Sequence, residues 1–209
     1  MRLNYLIFCT IRSSKSKDGL GWVTDEEAAR GWLQSQLQLT LERIDLPLLC
    51  RLYAAVSCED SASLHYWSDS LLAWRDSGEL RQEERQRGRA LITLLTDLQL
   101  DYLPAWYDSL SSNQLAPLAL AAVRWQIPLA ALMGGYSWSW LEGQVGAAVK
   151  LVPLGQTAGQ RLLLQLGAEV EPMVAAALRM PDSELGASLP ALAHASSRHE
   201  TQYCRLYRS

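Results

Sequence analysis

The sequence lacks a long hydrophobic run and a strong excess of either charge. Among its 209 residues no stretch of about 18 uninterrupted apolar residues occurs, which argues against a membrane-spanning helix. The formal net charge is only −3, and Lys and Arg are dense only in one mixed-charge segment. This charge pattern argues against a nucleic-acid surface.

Cysteine is scarce and irregularly spaced. The four cysteines are Cys9, Cys50, Cys58 and Cys204. They show neither the paired spacing of a zinc site nor the density of a disulfide framework, so reduced thiols are expected. The opening residues place Arg2 before an apolar stretch, as signal peptides do, but no small-residue cleavage site follows. We therefore expect a cytoplasmic chain.

Signatures of catalysis are missing as well. The sequence has no Gly-x-x-x-x-Gly-Lys-Ser/Thr phosphate loop and no Gly-x-Ser-x-Gly nucleophile turn. His194, His199 and Cys204 are five residues apart, whereas neighbours on one helix face are three or four apart. A surface or interface role is therefore favoured over a metal site, and we expect no enzyme, no cofactor and no bound metal.

The residues that are present favour a helical protein. Hydrophobic residues make up 49% of the chain, which excludes a disordered protein, and the length suits one domain. From Thr24 onward apolar residues recur at helical spacing, without a strong period-2 alternation. We predict an all-α, single-domain bundle of about eight to ten helices, in which the eight tryptophans supply large buried surfaces.

Capping residues and helix breakers predict where these helices begin and end. Helix starts are expected at three capping residues, Thr24, Asp45 and Thr157. Breaks are expected at Gly78, at Pro117 and at the Gly134-Gly135 pair.

The stretch Gly135–Leu166 predicts two buried helices joined by a fixed elbow at residues 151–156. Gly143, Gly146 and the neighbouring alanines are expected to let another backbone approach the first helix. Lys150 lies near the end of that helix, where a cation is favoured by the helix dipole. Capping of the helix and contact with a partner are equally good explanations for Lys150. A rigid elbow is a common place to present binding groups.

Two further segments carry many charges. The run Glu79–Arg89 predicts a solvated helix face, with a docking surface for a partner's carboxylates as the alternative. Arg75 and Glu79 flank Gly78 and are candidates for a buried ion pair. The tail from Arg198 to Ser209 combines three arginines with two tyrosines, a composition typical of interface centres, so we expect it to fold on binding.

Several separated motifs resemble the urease accessory protein UreF family. They are KLVPLGQTAGQRLL at 150–163, SSRHETQYCRLYRS at 196–209, LLAWRDSGELRQEERQRGRAL at 71–91 and GWVTDEEAARGWL at 21–33. The resemblance covers roughly Gly19 to Ser209. It implies an all-α, dimeric, non-enzymatic scaffold that links UreD (also called UreH) to the GTPase UreG and assists GTP-dependent nickel insertion into the urease apoprotein.

The resemblance also implies two sets of contact residues. The elbow residues expected to face UreG are Lys150, Pro153, Gly155 and Gln156. The tail residues expected to face UreD are Arg198, His199, Glu200, Gln202, Tyr203, Arg205 and Arg208. Tyr136 and Glu142, on the helix before the elbow, are weaker candidates.

The start of the chain departs from the family pattern. Met1–Asp18 resembles none of it, and the pattern is recovered at about Gly19–Val23. The expected organisation is therefore an atypical segment at 1–20, a UreF-like helical domain at 21–195 and a partner-binding tail at 196–209. Two other functions stay open, namely a helical enzyme with an unrecognised pocket and a module that binds an unrelated acidic partner through Arg81 and Arg85.

Overall fold

The computed structural model describes residues 21–152, 154–188 and 190–200, apart from the side chains of residues 197–200. All regular structure in these ranges is helical, which confirms the all-α, single-domain prediction. The α-helices are α1 Glu26–Gln36, α2 Leu46–Ser57, α3 Ser61–Ala73, α4 Gly78–Asp97, α5 Tyr107–Ser112, α6 Leu115–Arg124, α7 Leu129–Leu151, α8 Gln156–Gly167, α9 Val170–Arg179 and α10 Pro190–Glu200. A π-helix spans Leu37–Asp45, and 3₁₀ turns span Pro104–Trp106 and Asp182–Glu184. None of the helices in the described ranges combines the length and apolar character that a membrane crossing requires.

The first described helices follow one another without a break. The π-helix joins α1 to α2, and its last bond runs from the Leu46 N–H to the Leu41 carbonyl. The predicted helix start is confirmed in position, since α2 begins at Leu46, directly after Asp45, but the predicted capping role of Asp45 is wrong. Asp45 is helical and buried, and its side chain makes no capping hydrogen bond. The start of α1 also differs by one residue from the prediction, because Asp25 rather than Thr24 accepts the capping bond from the Ala28 N–H.

Two predicted breaks are displaced. Gly78 begins α4 instead of ending a helix, because the Ser77 side chain caps that end by accepting a hydrogen bond from the Leu80 N–H. Pro117 does not interrupt α6, because it lies in the first turn, where a missing N–H costs no helical bond. The actual break before α6 is at Asn113, whose Oδ1 accepts hydrogen bonds from the backbone N–H groups of Leu115 and Ala116.

The longest helix, α7, passes straight through the predicted turn at Gly134-Gly135. A glycine lowers helix stability by only about 1 kcal/mol, and the packing of this long helix outweighs that cost. The close approach predicted on α7 is correct for Ala147 and Ala148, which are fully buried, but wrong for Gly146. A Cβ added at Gly146 would meet nothing within 4 Å, whereas one added at Gly159 of α8 would lie 2.5 Å from Val149 Cγ2.

A continuous core of leucine and alanine side chains fills the bundle, with α2 and α6 contributing many of its fully buried members. The tryptophans contribute less than expected. Trp106 is buried and donates from Nε1 to the Ser61 hydroxyl, and Trp32 is buried as well. Trp22, Trp125 and Trp138 are instead exposed. Aliphatic packing therefore carries most of the core.

Candidate functional site

The predicted elbow lies between α7 and α8. The two helices pack closely on either side of it, with Gly159 against Val149 and Gly167 against the Trp138 ring. Between them the Leu154 N–H donates to the Val152 carbonyl at 2.6 Å. Glycine therefore permits close contact between the two helices on the α8 side.

Three of the four elbow candidates lie on the exposed side of this bend. Lys150 is in the last turn of α7, Gly155 is the residue before α8, and Gln156 is its first residue. The predicted capping box at Thr157 is wrong, because α8 begins one residue earlier without a side-chain cap. Pro153 lies outside the described residues.

Tyr136 has a different environment from the elbow residues. Its hydroxyl donates to Asp45 Oδ2 at 2.7 Å. Arg75 donates from Nη2 to Asp45 Oδ1 at 2.8 Å and to Glu84 Oε1 at 2.7 Å. This buried charge network, formed by Asp45, Arg75, Glu84 and Tyr136, ties the end of the π-helix to the loop before α4, to α4 itself and to α7. It confirms that Arg75 forms a buried ion pair, but its partners are Asp45 and Glu84 rather than Glu79.

The carboxylates of Asp45 and Glu84 share the guanidinium of Arg75 in this network, and all three residues are buried. Burial raises the pKa of the Asp45 carboxyl, and the charge of Arg75 opposes that shift. Burial and the neighbouring carboxylates raise the pKa of the Tyr136 hydroxyl. Such a network fixes the packing of the helices, and breaking it leaves an unpaired buried charge. Tyr136 is half-buried and its hydroxyl takes part in this network, whereas Glu142 lies exposed on the same helix.

The mixed-charge segment of α4 has two sides. Glu84 and Gly88 face the interior, and Arg87 pairs with Glu83 one turn away at 2.7 Å. Arg81, a candidate for binding an acidic partner, donates from Nη1 to the Arg75 carbonyl at 2.6 Å. Only part of this segment is thus a solvated face, and Arg81 forms a hydrogen bond within the chain.

The tail begins as the last helix of the bundle. In α10, Ala195 and Ser196 are buried, and the Ser196 and Ser77 hydroxyls lie 2.7 Å apart in a hydrogen bond. The His194 ring stacks on Trp22, with 6.0 Å between ring centroids. Arg198, His199 and Glu200 continue this helix across the expected boundary at 195, but their side chains lie outside the described residues. So do Gln202, Tyr203, Arg205 and Arg208 in their entirety.

Sequence reasoning missed an exposed stripe of small residues on α7. Ala131, Gly135, Ser139 and Gly143 recur at four-residue spacing and line one groove of about 450 Å³. A Cβ added at Gly134 or Gly135 would meet nothing within 4 Å, so packing within the described chain does not require glycine there. The four-residue spacing of small residues is the sequence signal that would have revealed this stripe.

Metal-binding geometry is not found in the described part of the chain. Within it, no three His, Cys, Asp or Glu side chains are grouped so that they could hold a metal ion. The suggested His194, His199 and Cys204 set stays untested, because the His199 side chain and Cys204 lie outside the described ranges.

Comparison with known proteins agrees with these features. A family model described as UreF matches residues 23–167. The chain is 50% identical over 189 residues to the urease accessory protein UreF of Pseudomonas putida, covering 90% of this chain and 84% of that protein. It is 48% identical over 189 residues to the UreF of Alkalilimnicola ehrlichii, covering 90% and 83%, and 45% identical over 196 residues to that of Alcanivorax borkumensis, covering 90% and 85%. The chain therefore belongs to the urease accessory protein UreF family.

Proposed function

We propose that the chain is a non-enzymatic scaffold in urease maturation, which links UreD (UreH) to the GTPase UreG during GTP-dependent insertion of nickel into the urease apoprotein. The observation that carries this proposal is the rigid elbow, which presents Lys150, Gly155 and Gln156 on its exposed side. Because the proposed partner UreG uses GTP, this proposal includes a cytoplasmic location for the assembly.

In this proposal the elbow and the tail bind different proteins. The elbow contacts UreG through an exposed cation and the exposed start of α8. The tail contacts UreD, and α10 gives it a fixed starting point because Ser196 is buried against Ser77. A tail whose first residues are held in a helix of the scaffold loses less conformational entropy on binding than a free peptide does.

Pairwise binding of purified UreD and UreG tests this assignment. The structure recommends a chain ending at Glu200 rather than at Ala195, because the shorter chain would cut α10 and remove the buried Ser196. We expect loss of residues 201–209 to abolish UreD binding. We expect Lys150→Ala to keep UreD binding and to weaken UreG binding.

Arg179→Ala is the matched control, since Arg179 is also an exposed cation in the last turn of a helix. Arg179→Ala also removes a cation from the C-terminal turn of a helix, so it shows how much of any effect comes from the lost interaction with the helix dipole alone. If Lys150→Ala and the shortened chain both lose UreD, or if Arg179→Ala weakens UreG binding as much as Lys150→Ala does, the division into two contact faces is wrong.

The stripe of small residues on α7 supports a homodimer in the same assembly. Small side chains at four-residue spacing allow two helix backbones to approach closely. Trp138 lies exposed on the same helix and borders a second, mostly apolar groove with Gly134, Gly167 and Val174. An identical helix from a second copy fits both features, because a two-fold interface uses the same surface twice.

A further inference from the structure

Three helices of this chain end in the same way, and none of the three uses glycine. The Schellman motifs that end α2, α4 and α6 place Glu59, Gln99 and Gln126 in left-handed conformations, with φ of 53°, 58° and 56°. In each motif the following N–H bonds back to the last helical turn, as from Leu100 N to the Leu95 carbonyl at 2.9 Å. Non-glycine residues pay a conformational cost in this region, and such residues often accumulate at functional sites.

The three endings lie at one end of the bundle. The Tyr53 hydroxyl, near the end of α2, donates to the Ile127 carbonyl just after α6 at 3.1 Å. Arg124, the last residue of α6, lies 3.8 Å from Glu59 and donates from Nε to the Asp101 carbonyl at 3.0 Å. These contacts join the C-terminal ends of α2, α4 and α6 in one surface, which we call the C-terminal face.

The C-terminal face carries more negative charge than positive charge. Each helix end carries roughly half a negative elementary charge from its aligned peptide dipoles. Residues 58–60, 97–101 and 124–127, at the three helix ends, include four carboxylates, Glu59, Asp60, Asp97 and Asp101, and one cation, Arg124. Arg124 contacts Glu59 and donates to the Asp101 carbonyl.

Apolar side chains project from the same face. Leu98 and Trp125, the residues that cap α4 and α6, are 56% and 52% exposed. Leu94 lies one turn before Leu98 on α4 and is also exposed. An exposed aromatic ring and two leucines beside carboxylates form an amphipathic surface, which favours a ligand with both apolar and cationic groups.

We infer that the C-terminal face is a docking site for a protein segment that carries Lys or Arg beside apolar side chains. The carboxylates and helix ends attract the cations, while Leu98 and Trp125 bury the apolar side chains. The C-terminal face lies near the start of α7, whereas the elbow follows the end of that helix. Ile127, at the edge of this face, also lines the groove of the small-residue stripe. The existence of the docking site does not depend on the proposed role in urease maturation.

The test uses the full chain, labelled with ¹⁵N, and two synthetic amphipathic peptides of about 15 residues, near the length at which an isolated helix forms. One peptide is built of Leu and Lys, and the other has Glu in place of every Lys. We expect the Leu/Lys peptide to shift the amide signals of residues 58–60, 97–101 and 124–127. Its affinity should fall by about fivefold or more when the salt concentration rises from about 0.05 to 0.3 M.

Lysines introduced at exposed apolar positions provide the matched variants. Leu98→Lys combined with Trp125→Lys changes only exposed positions and should abolish these shifts. Leu164→Lys, at an exposed leucine of α8, should leave them unchanged. Equal binding of the Leu/Glu peptide at the same amides, shifts confined to other residues, the absence of any shift, or undiminished binding by the double variant would each overturn the inference.

Discussion

At the scale of single residues, Arg75 is the side chain on which the buried charge network depends most. It is the only cation in a cluster that also holds Asp45 and Glu84, and all three are buried. Arg75→Met keeps approximately the length of the side chain but leaves two buried carboxylates without a cationic partner. We expect it to lower the free energy of unfolding by about 3–5 kcal/mol, measured by urea denaturation.

Arg30→Met is the comparison for that experiment, because Arg30 pairs with Glu27 on the surface of α1. Exposed ion pairs of this kind contribute little. If the two variants lose similar stability, the buried network does not hold the helices together.

Asp45 should give the network a recognisable pH dependence. Because burial raises the pKa of its carboxyl in the folded chain, the folded state binds more protons than the unfolded state above about pH 4, the region of the unfolded pKa. The stability that Asp45 contributes therefore falls as the pH rises from about 4 through its raised pKa. We expect the stability of the wild type relative to Asp45→Asn to decrease over this range in urea titrations.

Asp25→Asn should show the opposite trend. The Ala28 N–H lowers the pKa of Asp25, so the stability that this cap contributes is lost as the pH falls. A difference between wild type and Asp45→Asn that stays constant or grows with pH would show that the Asp45 carboxyl is not destabilised by burial.

At the scale of helices, Gly88 fixes the distance between α4 and the end of α5. A Cβ there would lie 2.6 Å from the Asn113 carbonyl oxygen and 2.8 Å from the Ser111 carbonyl oxygen, both of which are backbone atoms. We expect Gly88→Ala to lower the free energy of unfolding by about 1–3 kcal/mol in urea denaturation, because one of the two elements must move.

Gly31→Ala makes the same chemical change in α1, where a Cβ would meet nothing within 4 Å. It should raise the stability by about 0.5–1 kcal/mol, since alanine is the better helix former. If Gly88→Ala and Gly31→Ala changed the free energy of unfolding by the same amount and in the same direction, the close packing around Gly88 would be contradicted.

The helices were predictable because apolar spacing is a property of each segment, whereas many of their ends were not. Gly78 and the Gly134-Gly135 pair are breakers by local preference, yet Ser77 caps α4 and tertiary packing carries α7 through its glycines. Asp45 has the sequence of a cap, but its partner Arg75 is 30 positions away. Local rules cannot identify a partner at that separation.

At the scale of the whole molecule, the stripe on α7 predicts a dimer that one glycine controls. Gly135→Leu adds a side chain where the described chain leaves space, so the fold should be unaffected. In a dimer the same side chain would separate the two copies of α7 and weaken association by about tenfold to a hundredfold. Light scattering across a range of concentrations measures the change.

Gly31→Leu is the control for the dimer, because it adds the same side chain to an exposed helical glycine away from the stripe. It should dimerise like the wild type. A wild-type chain that stays at 23.3 kDa at every concentration would contradict the dimer.

The sequence was more informative about binding surfaces at the elbow than elsewhere. Pro and Gly indicated a helix break there, the resemblance to the UreF family named Lys150, Gly155 and Gln156 as contact residues, and these residues lie exposed. The buried network and the C-terminal face could not be named, because each depends on which helix ends the fold brings together. The assignment of partners to the elbow and the tail remains a prediction.

The π-helix has a consequence for how the chain tolerates changes in length. Its bonds span five residues instead of four, so Leu37–Asp45 holds one residue more than an α-helical path would need. A single deletion there would restore ordinary α-helical bonding. Because the α-helical path needs one residue fewer, α1 and α2 would keep nearly the same relation, and Leu33 and Leu37 would still face the interior. Natural variants with one residue fewer in this segment should therefore keep the fold.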